Sequence, residues 1–529
     1  MGIYVNPGNT AFQKALNSDI YIDKTDLITY TNSKINKTNC FICVSRPRRF
    51  GKSMAADMVA AYYSKGCDSA GLFAGRKAEA DEGFNKHLNQ YNVIRLDIQK
   101  FLESQRELDT FISEIERAVI GELMDVFPQC IGLDRSGRLK FMLEKIFSQT
   151  GQGFVFVVDE WDCVFRIAKE QKEVQKAYLD FLRGLFKGSA YVELAYMTGI
   201  LPIKKYGEHS AINIFKEFSM LNPGQIAGCF GFTESEVEIL CRHHGVDYGE
   251  TQKWYDGYQL GDLHIYNPQA VAELMENHEF QSYWAGTETY EALKVYIDRN
   301  FDGLKEAISM MLCSGRCKID PLTFQNDMTT FKTKDDILTL LVHLGYLTYD
   351  KRSSEVYIPN REVSLEFLRA VKTGGWDGLV RALNRSERIL LSTWELDGEA
   401  VAKEISEIHN ETASLLKYHD ENSLTCTVLM AYYSAKAFYM NPIMELPSGK
   451  GLADVVYLPA RNVERPAIVI ELKWNKSPED TIRQIRDKQY EARIKEYMGD
   501  ILLVGINYNK KRKVHECVIE KIRSGNVSV

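Results

Sequence analysis

Two sets of residues in this chain have the types and spacing to do chemistry. The first joins Arg46-Pro47-Arg48-Arg49-Phe50-Gly51-Lys52-Ser53 to Asp159-Glu160-Trp161-Asp162. A loop that ends in Gly-Lys-Ser at the start of a helix offers open backbone N–H groups and the positive end of the helix dipole to a polyanion. Gly51 belongs to that cradle, Lys52 would reach the β- and γ-phosphates of ATP, and the Ser53 hydroxyl would ligate Mg²⁺. Arg48 and Arg49 add cations beside the phosphates. Asp159 is expected in the Mg²⁺ shell, and Glu160 is expected to polarise the attacking water. The chemistry predicted is binding and hydrolysis of a nucleoside triphosphate. Where the usual phosphate loop has its first glycine, this chain has Arg46. A bare Gly-Lys-Ser would be an ordinary basic turn; the strand before it and the helix after it favour the phosphate reading.

The second set is Asp454 and Glu471-Leu472-Lys473, each within an apolar run. Two strands of a hairpin would bring them side by side, with Glu471 and Lys473 on one face because side chains alternate. An Asp and a Glu can hold a divalent metal through hard oxygen ligands. A lysine on the same face can orient or deprotonate water and offset charge on a phosphate. A Glu-x-Lys is usually a solvated strand face. Here the flanking apolar residues predict burial, which is costly for ionisable groups that serve no purpose.

The elements that must position these residues can be read from the same patterns. Residues 41–45 form a strand into the loop. Ala55, Met58, Val59 and Tyr62 then recur at helical spacing, and Lys65-Gly66 is expected to close that helix. Residues 93–98 read as a second strand and 108–127 as an amphipathic helix. The run 154–158 reads as a strand buried on both faces, delivering Asp159 and Glu160 at its C-terminal edge, where ligands of open α/β sheets sit. After a helix near 172–187, a further strand ends at Thr198, placed to sense the γ-phosphate or water; Lys204 and Lys205 follow as candidate phosphate sensors. The stretch 215–290 is helical and aromatic. Its Trp254–Tyr258 and Tyr266-Asn267-Pro268 segments read as punctuation of a helical lid. A helix at 335–344, Gly345 and a hairpin tipped by Lys351-Arg352 suggest a winged-helix module, a DNA- or protein-contacting unit. Near the C-terminus, Asn509-Lys510-Lys511-Arg512-Lys513 is a dense basic turn.

A chain of 529 residues is too long for one core. The boundaries expected are 1–212, 213–362 (lid and winged-helix-like region), 363–418 (helical connector) and 419–529. A net charge of −7 excludes a polyelectrolyte binder, so any nucleic-acid contact must be local. Eleven cysteines lack a repeating spacing, and Cys40-x-x-Cys43 reads as buried thiols of the loop-bearing strand rather than zinc ligands. A reducing cytoplasm, with no signal peptide and no membrane span, is the expectation.

These residues together resemble bacterial AAA-ATPase-like proteins with a C-terminal PD-(D/E)XK nuclease-superfamily domain. The resemblance rests on residues 21–25, 46–53, 159–162, Thr198-Gly199, 254–258 and 266–268, then on Glu421, 449–454, 471–473 and Gln484-Ile485. The Arg-Pro-Arg-Arg-Phe loop is typical of that family, so Arg46 is no lesion. The resemblance implies an α/β chain: an additional-strand P-loop ATPase domain, the helical lid and winged-helix-like region, and a restriction-endonuclease-like domain. It assigns nuclease roles to Glu421, Asp454, Glu471, Lys473 and Gln484, with Mg²⁺ or Mn²⁺ as metal. The partners implied are ATP and nucleic acid, DNA before RNA, with self-association an option. Nuclease domains also decay into binding modules, so a nucleotide-controlled switch with a docking C-terminal module stays open as the alternative. A metabolic kinase lacks any evident small-molecule site.

Overall fold

The structure is a computed structural model that describes residues 2–103, 110–135, 137–203, 212–284, 294–297, 301, 303–324, 331–374, 376–412, 421–448, 451–460, 463–474, 499–509, 511–512 and 514–523, with backbone alone at 323, 421–423, 445–448, 451–454, 474 and 523. The backbone divides into two compact units, Met1–Trp284 with Ile319–Glu362 and Ala285–Lys318 with Val363–Val529.

The first unit is built on a sheet of β1 (Phe41–Ser45), β2 (Asn92–Asp97), β3 (Phe154–Asp159), β4 (Val192–Gly199) and β5 (Lys216–Phe218). The order is β2-β3-β4-β1-β5 and every pairing is parallel. All C-terminal strand ends therefore lie along one edge. Strand β4 lies between the strand that carries the loop and the strand that carries the carboxylates. Register pairs Ser45 with Gly199 and Asp97 with Asp159, which sets the ends of β1 to β4 level.

Helix α1 (Lys52–Tyr63) packs on one face of the sheet. Its Ala55, Ala56, Val59, Tyr62 and Tyr63 share a core with Ile42, Val44, Val155, Val157 and Tyr196. Each large apolar side chain fully removed from water there contributes roughly 1.5–3 kcal/mol. The helix stops at Tyr63, earlier than Lys65-Gly66 suggests. Ser64 is extended, bridges to Tyr91, and donates its hydroxyl to the Pro7 carbonyl at 2.8 Å, so the backbone leaves the helix to join a neighbouring segment. Between α2 (Phe111–Val126) and α4 (Lys172–Phe186) lies the short helix α3 (Cys163–Ile167). Phe186 of α4 meets Phe156 edge-on at 5.3 Å, covering the sheet's other face.

Later in this unit, α5 (Lys334–Leu344) starts at a Thr333–Asp336 capping box and ends at Gly345, whose φ of +85° is a left-handed stop. The hairpin β6 (Thr348–Asp350) and β7 (Glu355–Tyr357) follows it.

The second unit holds a mixed sheet, β8 (Ile443–Ser448), β9 (Gly451–Tyr457), β10 (Ala467–Trp474), β11 (Asp500–Asn509) and β12 (Val514–Arg523), in sequence order. Strand β9 is antiparallel to both neighbours, β10 and β11 are parallel, and β12 is antiparallel to β11. Helix α6 (Gly398–Thr412) packs against β12, where Ser406 Oγ lies 3.2 Å from His515 Nδ1. Helix α7 is Glu421–Ala431.

Candidate functional site

The loop between β1 and α1 turns twice through left-handed backbone, at Arg49 (φ +67°) and Gly51 (φ +82°). Gly51 gives α1 no side-chain cap, so the first-turn N–H groups, which no helical carbonyl can satisfy, face the edge where the strand ends gather. Ser53 is exposed on the first turn. Lys52 is buried, and its Nζ donates to the Pro47 carbonyl at 2.9 Å across the loop. Burial lowers its pKa, opposed by the charges of Glu160, Asp159 and Asp162.

Arg46 does something that a glycine could not. It is fully buried, donates from Nη1 to the Ser45 and Phe218 carbonyls at 3.0 and 2.9 Å, and lies over the Phe230 ring. Burial lowers its pKa to about 10. The guanidinium thus braces the root of the loop between β1 and β5. Arg49 Nη1 donates to the Tyr283 carbonyl at 3.0 Å. Phe50 meets Tyr258 edge-on at 5.2 Å, and the Tyr258 hydroxyl donates to the Gly345 carbonyl at 2.8 Å. The loop is therefore packed against residues that come two to three hundred positions later in the same unit.

Facing the loop, buried Asp159 accepts from Thr198 Oγ1 at 3.1 Å and from the Glu160 N–H at 3.0 Å, both at Oδ1. Glu160 sits in left-handed backbone (φ +51°) just past the strand end. Its Oε2 is ion-paired with Arg166 Nη2. Arg166 Nε also lies 3.2 Å from Asp162 Oδ2. Asp162 is fully buried and accepts from the Ile200 N–H at 3.1 Å and the Leu201 N–H at 2.9 Å, in the turn after β4. Burial raises the Glu160 pKa; Lys52 and Arg166 oppose this, while Asp162 and Asp159 add to it. Gly51, Lys52, Ser53, Asp159, Glu160 and Thr198 are thus brought to one sheet edge. Lys204 and Lys205 lie outside the described residues.

Residue typing alone missed Arg166 and gave Asp162 no role. The i, i+4 spacing of Asp162 and Arg166 was the available signal, since it sets the two on one face of a helix. The segment 21–25 is tied into this unit: Lys24 Nζ pairs with Glu236 at 2.6 Å, and Asp23 accepts the Lys77 N–H at 2.9 Å. Cys40 and Cys43 are buried, and burial pushes the Cys40 thiol up to about 11.

In the second unit Glu471 is fully buried on β10, and Lys473 Nζ lies 2.8 Å from its Oε1. The register that pairs Val455 with Ile470 puts position 454 of β9 opposite position 471. In the next row Lys473 pairs with Asn507, whose Nδ2 donates to Glu516 on β12 at 3.0 Å. Of the basic run that follows β11, Lys511 and Arg512 are exposed, while Lys510 and Lys513 lie outside the described residues. Glu421 begins α7, though its side chain and that of Asp454 lie outside the described atoms, as does all of Gln484. Among the described residues no group of three or more acidic, His or Cys side chains forms a metal cluster, and no helix is long and apolar enough to cross a membrane.

Residues 8–207 match the family model described as predicted AAA-ATPase, and this stretch is similar to that family's domain. The chain is also 25% identical over 284 residues to an uncharacterized protein in the vnfD 5′ region of Azotobacter chroococcum mcd 1; the match covers 51% of each chain. The chain thus spans about half the length of that curated relative.

Proposed function

We propose that this protein binds and hydrolyses ATP through its first unit and that its C-terminal domain is a metal-dependent nuclease acting on DNA, in defence or mobile-element biology. The observation that supports the ATPase reading is the meeting of an uncapped helix start, Lys52, and the Asp159–Glu160 strand end on one parallel-sheet edge. Lys52 would hold the β- and γ-phosphates. Ser53 and Asp159, both hard oxygen donors, would hold Mg²⁺, which supplies charge neutralisation when bound. Glu160 draws the proton from the attacking water, and Thr198 fixes the Asp159 carboxylate.

The nuclease reading is supported by a fully buried Glu471 paired with Lys473, with position 454 opposite it in the sheet. Asp454 and Glu471 would hold Mg²⁺ or Mn²⁺, and Lys473 would act on water and phosphate. Glu421 and Gln484 complete the set implied by the resemblance. A nucleotide-controlled switch with a non-cleaving C-terminal module is the second reading. It is favoured by the packing of Arg49 and Phe50 on Tyr283 and Tyr258, which ties the loop to distant parts of the unit.

The test is hydrolysis of ATP, and scission of plasmid and single-stranded DNA in Mg²⁺ or Mn²⁺, with and without ATP. Metal-dependent cutting that Asp454→Asn abolishes supports the nuclease. ATP turnover with no metal binding by the C-terminal domain and no nicking would leave the switch.

A further inference from the structure

We propose that Asn507 is a positioning residue for Lys473, and that Glu516 fixes the Asn507 amide so that its oxygen, Oδ1, serves the lysine. This rests on the reading of the C-terminal domain as a nuclease and adds one residue of β11 and one of β12 to that site. Register sets Lys473, Asn507 and Glu516 in a single row across β10, β11 and β12. Residues paired in register share a face of the sheet, and alternate residues of a strand do too, so Glu471 lies on this face as well. Asn507 is only 1% exposed, and its Nδ2 donates to Glu516 Oε2 at 3.0 Å. An ionised carboxylate only accepts, so the amide must turn its nitrogen to Glu516 and keep Oδ1 as the acceptor in the row. Gly505 is the residue of β11 paired with Glu471, and it brings no side chain to that carboxylate. Asn507 is then the polar side chain that β11 offers beside Lys473. Further along the same face the residues are apolar, at Ala467, Val469, Leu503 and Val518. The opposite face is taken by α6, through His409 on the Tyr508 ring and Ser406 at His515.

A lysine that acts on water and phosphate has to be aimed. Lys473 Nζ lies 2.8 Å from Glu471 Oε1, and the lysine side chain is 19% exposed where that of Glu471 is wholly buried. Glu471 is also one of the two carboxylates that would hold the divalent metal. Its lone pairs serve both purposes, so whatever it commits to a metal weakens its hold on Lys473. With one shared anchor, a side chain on a flexible four-carbon stem spreads over several rotamers. A carbonyl oxygen on the neighbouring strand supplies a second anchor. Being neutral, it competes poorly for the metal and leaves the lysine charge for the phosphate.

The experiment follows single-turnover scission of supercoiled plasmid in Mn²⁺, Tm, and the Mn²⁺ affinity of the site that Asp454→Asn removes. It uses the full chain as wild type, Asn507→Leu, Glu516→Ala, Glu516→Gln, Lys473→Ala, and the two double variants that join Lys473→Ala to Asn507→Leu or Glu516→Ala. Asn507→Leu should slow scission roughly 10- to 100-fold, the worth of one hydrogen bond to a charged group. Its Mn²⁺ affinity should stay within about twofold. Glu516→Ala frees the amide to turn over and should slow scission about 3- to 10-fold, whereas Glu516→Gln keeps an accepting oxygen and should stay within about threefold of wild type. Once Lys473 is alanine, neither change should cost more than about twofold further, because both act through the lysine.

Additive losses in the double variants would show that Asn507 and Glu516 act apart from Lys473 and overturn the proposal. Asn507→Leu that cuts like wild type overturns it too. A slowed reaction accompanied by more than about tenfold weaker Mn²⁺ binding would place Asn507 in the metal shell and has the same force. Should the leucine variant fail to fold, the cycle with Glu516→Ala, at a half-buried position, decides alone. Wild type that cuts no DNA, or cuts it no better than Lys473→Ala, would instead sink the nuclease reading and this inference with it, an outcome seen before any Asn507 variant is made.

Discussion

At the scale of single residues, the site works by contrast between groups buried for structure and groups buried for use. Lys52→Ala removes a charge-assisted donor, worth about 2 kcal/mol, and should weaken ATP binding by roughly 30-fold; calorimetric titration measures it, and unchanged affinity would remove the phosphate-loop reading. Glu160→Gln keeps size and a hydrogen-bonding group but loses the base. Binding should persist while turnover drops at least about 100-fold. Gly199 gives a stability prediction with no chemistry in it. Gly199→Ala drives a methyl into Asp162 and Trp161, so overpacking of about 1–3 kcal/mol should appear as a lower Tm. Lys52, Asp159 and Glu160 were legible from the sequence because loop and strand-end chemistry is local. Arg166 was not, because its meaning comes from being within reach of two carboxylates, one of them held by backbone in the turn after β4.

At the scale of elements, local signals and packing agree in most places. Asn267-Pro268 starts a helix: Asn267 is extended and its side chain accepts from the Gln269 and Ala270 N–H groups, as a proline at the first helical position allows. Thr333, Asp336 and Gly345 likewise bracket α5. What these signals do not say is that Gly345 lies against the phosphate loop. A Cβ there would stand 2.7 Å from Pro47 Cβ and 3.0 Å from Trp284, in backbone at φ +85°. Gly345→Ala should therefore cost about 1–2 kcal/mol for the left-handed conformation alone. It should also weaken ATP binding, although residue 345 belongs to no ligand shell. Parallel measurement of Tm and nucleotide affinity checks both; a lowered Tm with wild-type affinity would show that the packing is only structural. The α1 terminus is the counter-example, where a neighbouring segment captured Ser64 and ended the helix before its basic and glycine signals.

At the scale of the whole molecule, the backbone divides into two compact units. The second unit has a pH dependence of its own. His409 and His515 lie together under α6, their ring nitrogens 3.5 Å apart. Burial lowers the His409 pKa to about 4, and burial with the neighbouring His409 lowers that of His515 to about 3. Both folded values lie below the ordinary 6.5, so the unfolded chain takes up protons first as pH falls. The stability that this pair contributes is complete above about pH 6.5 and is lost as pH falls towards 4. Urea midpoints measured across that window should decline with acid, and His515→Gln should flatten the decline. In the same unit, Asp454→Asn should abolish Mn²⁺ binding without loss of stability in the metal-free protein, because it relieves repulsion between carboxylates. Lys473→Ala should spare binding and slow cleavage.

The sequence by itself determined what depends on neighbours in the chain: the strand-loop-helix around Lys52, the apolar run that ends at Asp159, the proline punctuation at Asn267-Pro268, and the alternation that places Glu471 and Lys473 on one strand face. Hydrophobic period, cap chemistry and glycine placement act over a few residues, so they can be read without a fold. Only the tertiary structure decided that β4 lies between β1 and β3, that Arg46 braces β1 against β5, that Gly345 and Tyr258 back the loop, and that Asp162 joins Arg166 to the turn after β4. Each of these is a contact between residues far apart in the chain. Its strength comes from burial and shared hydrogen bonds, which exist only once the strands have found their order.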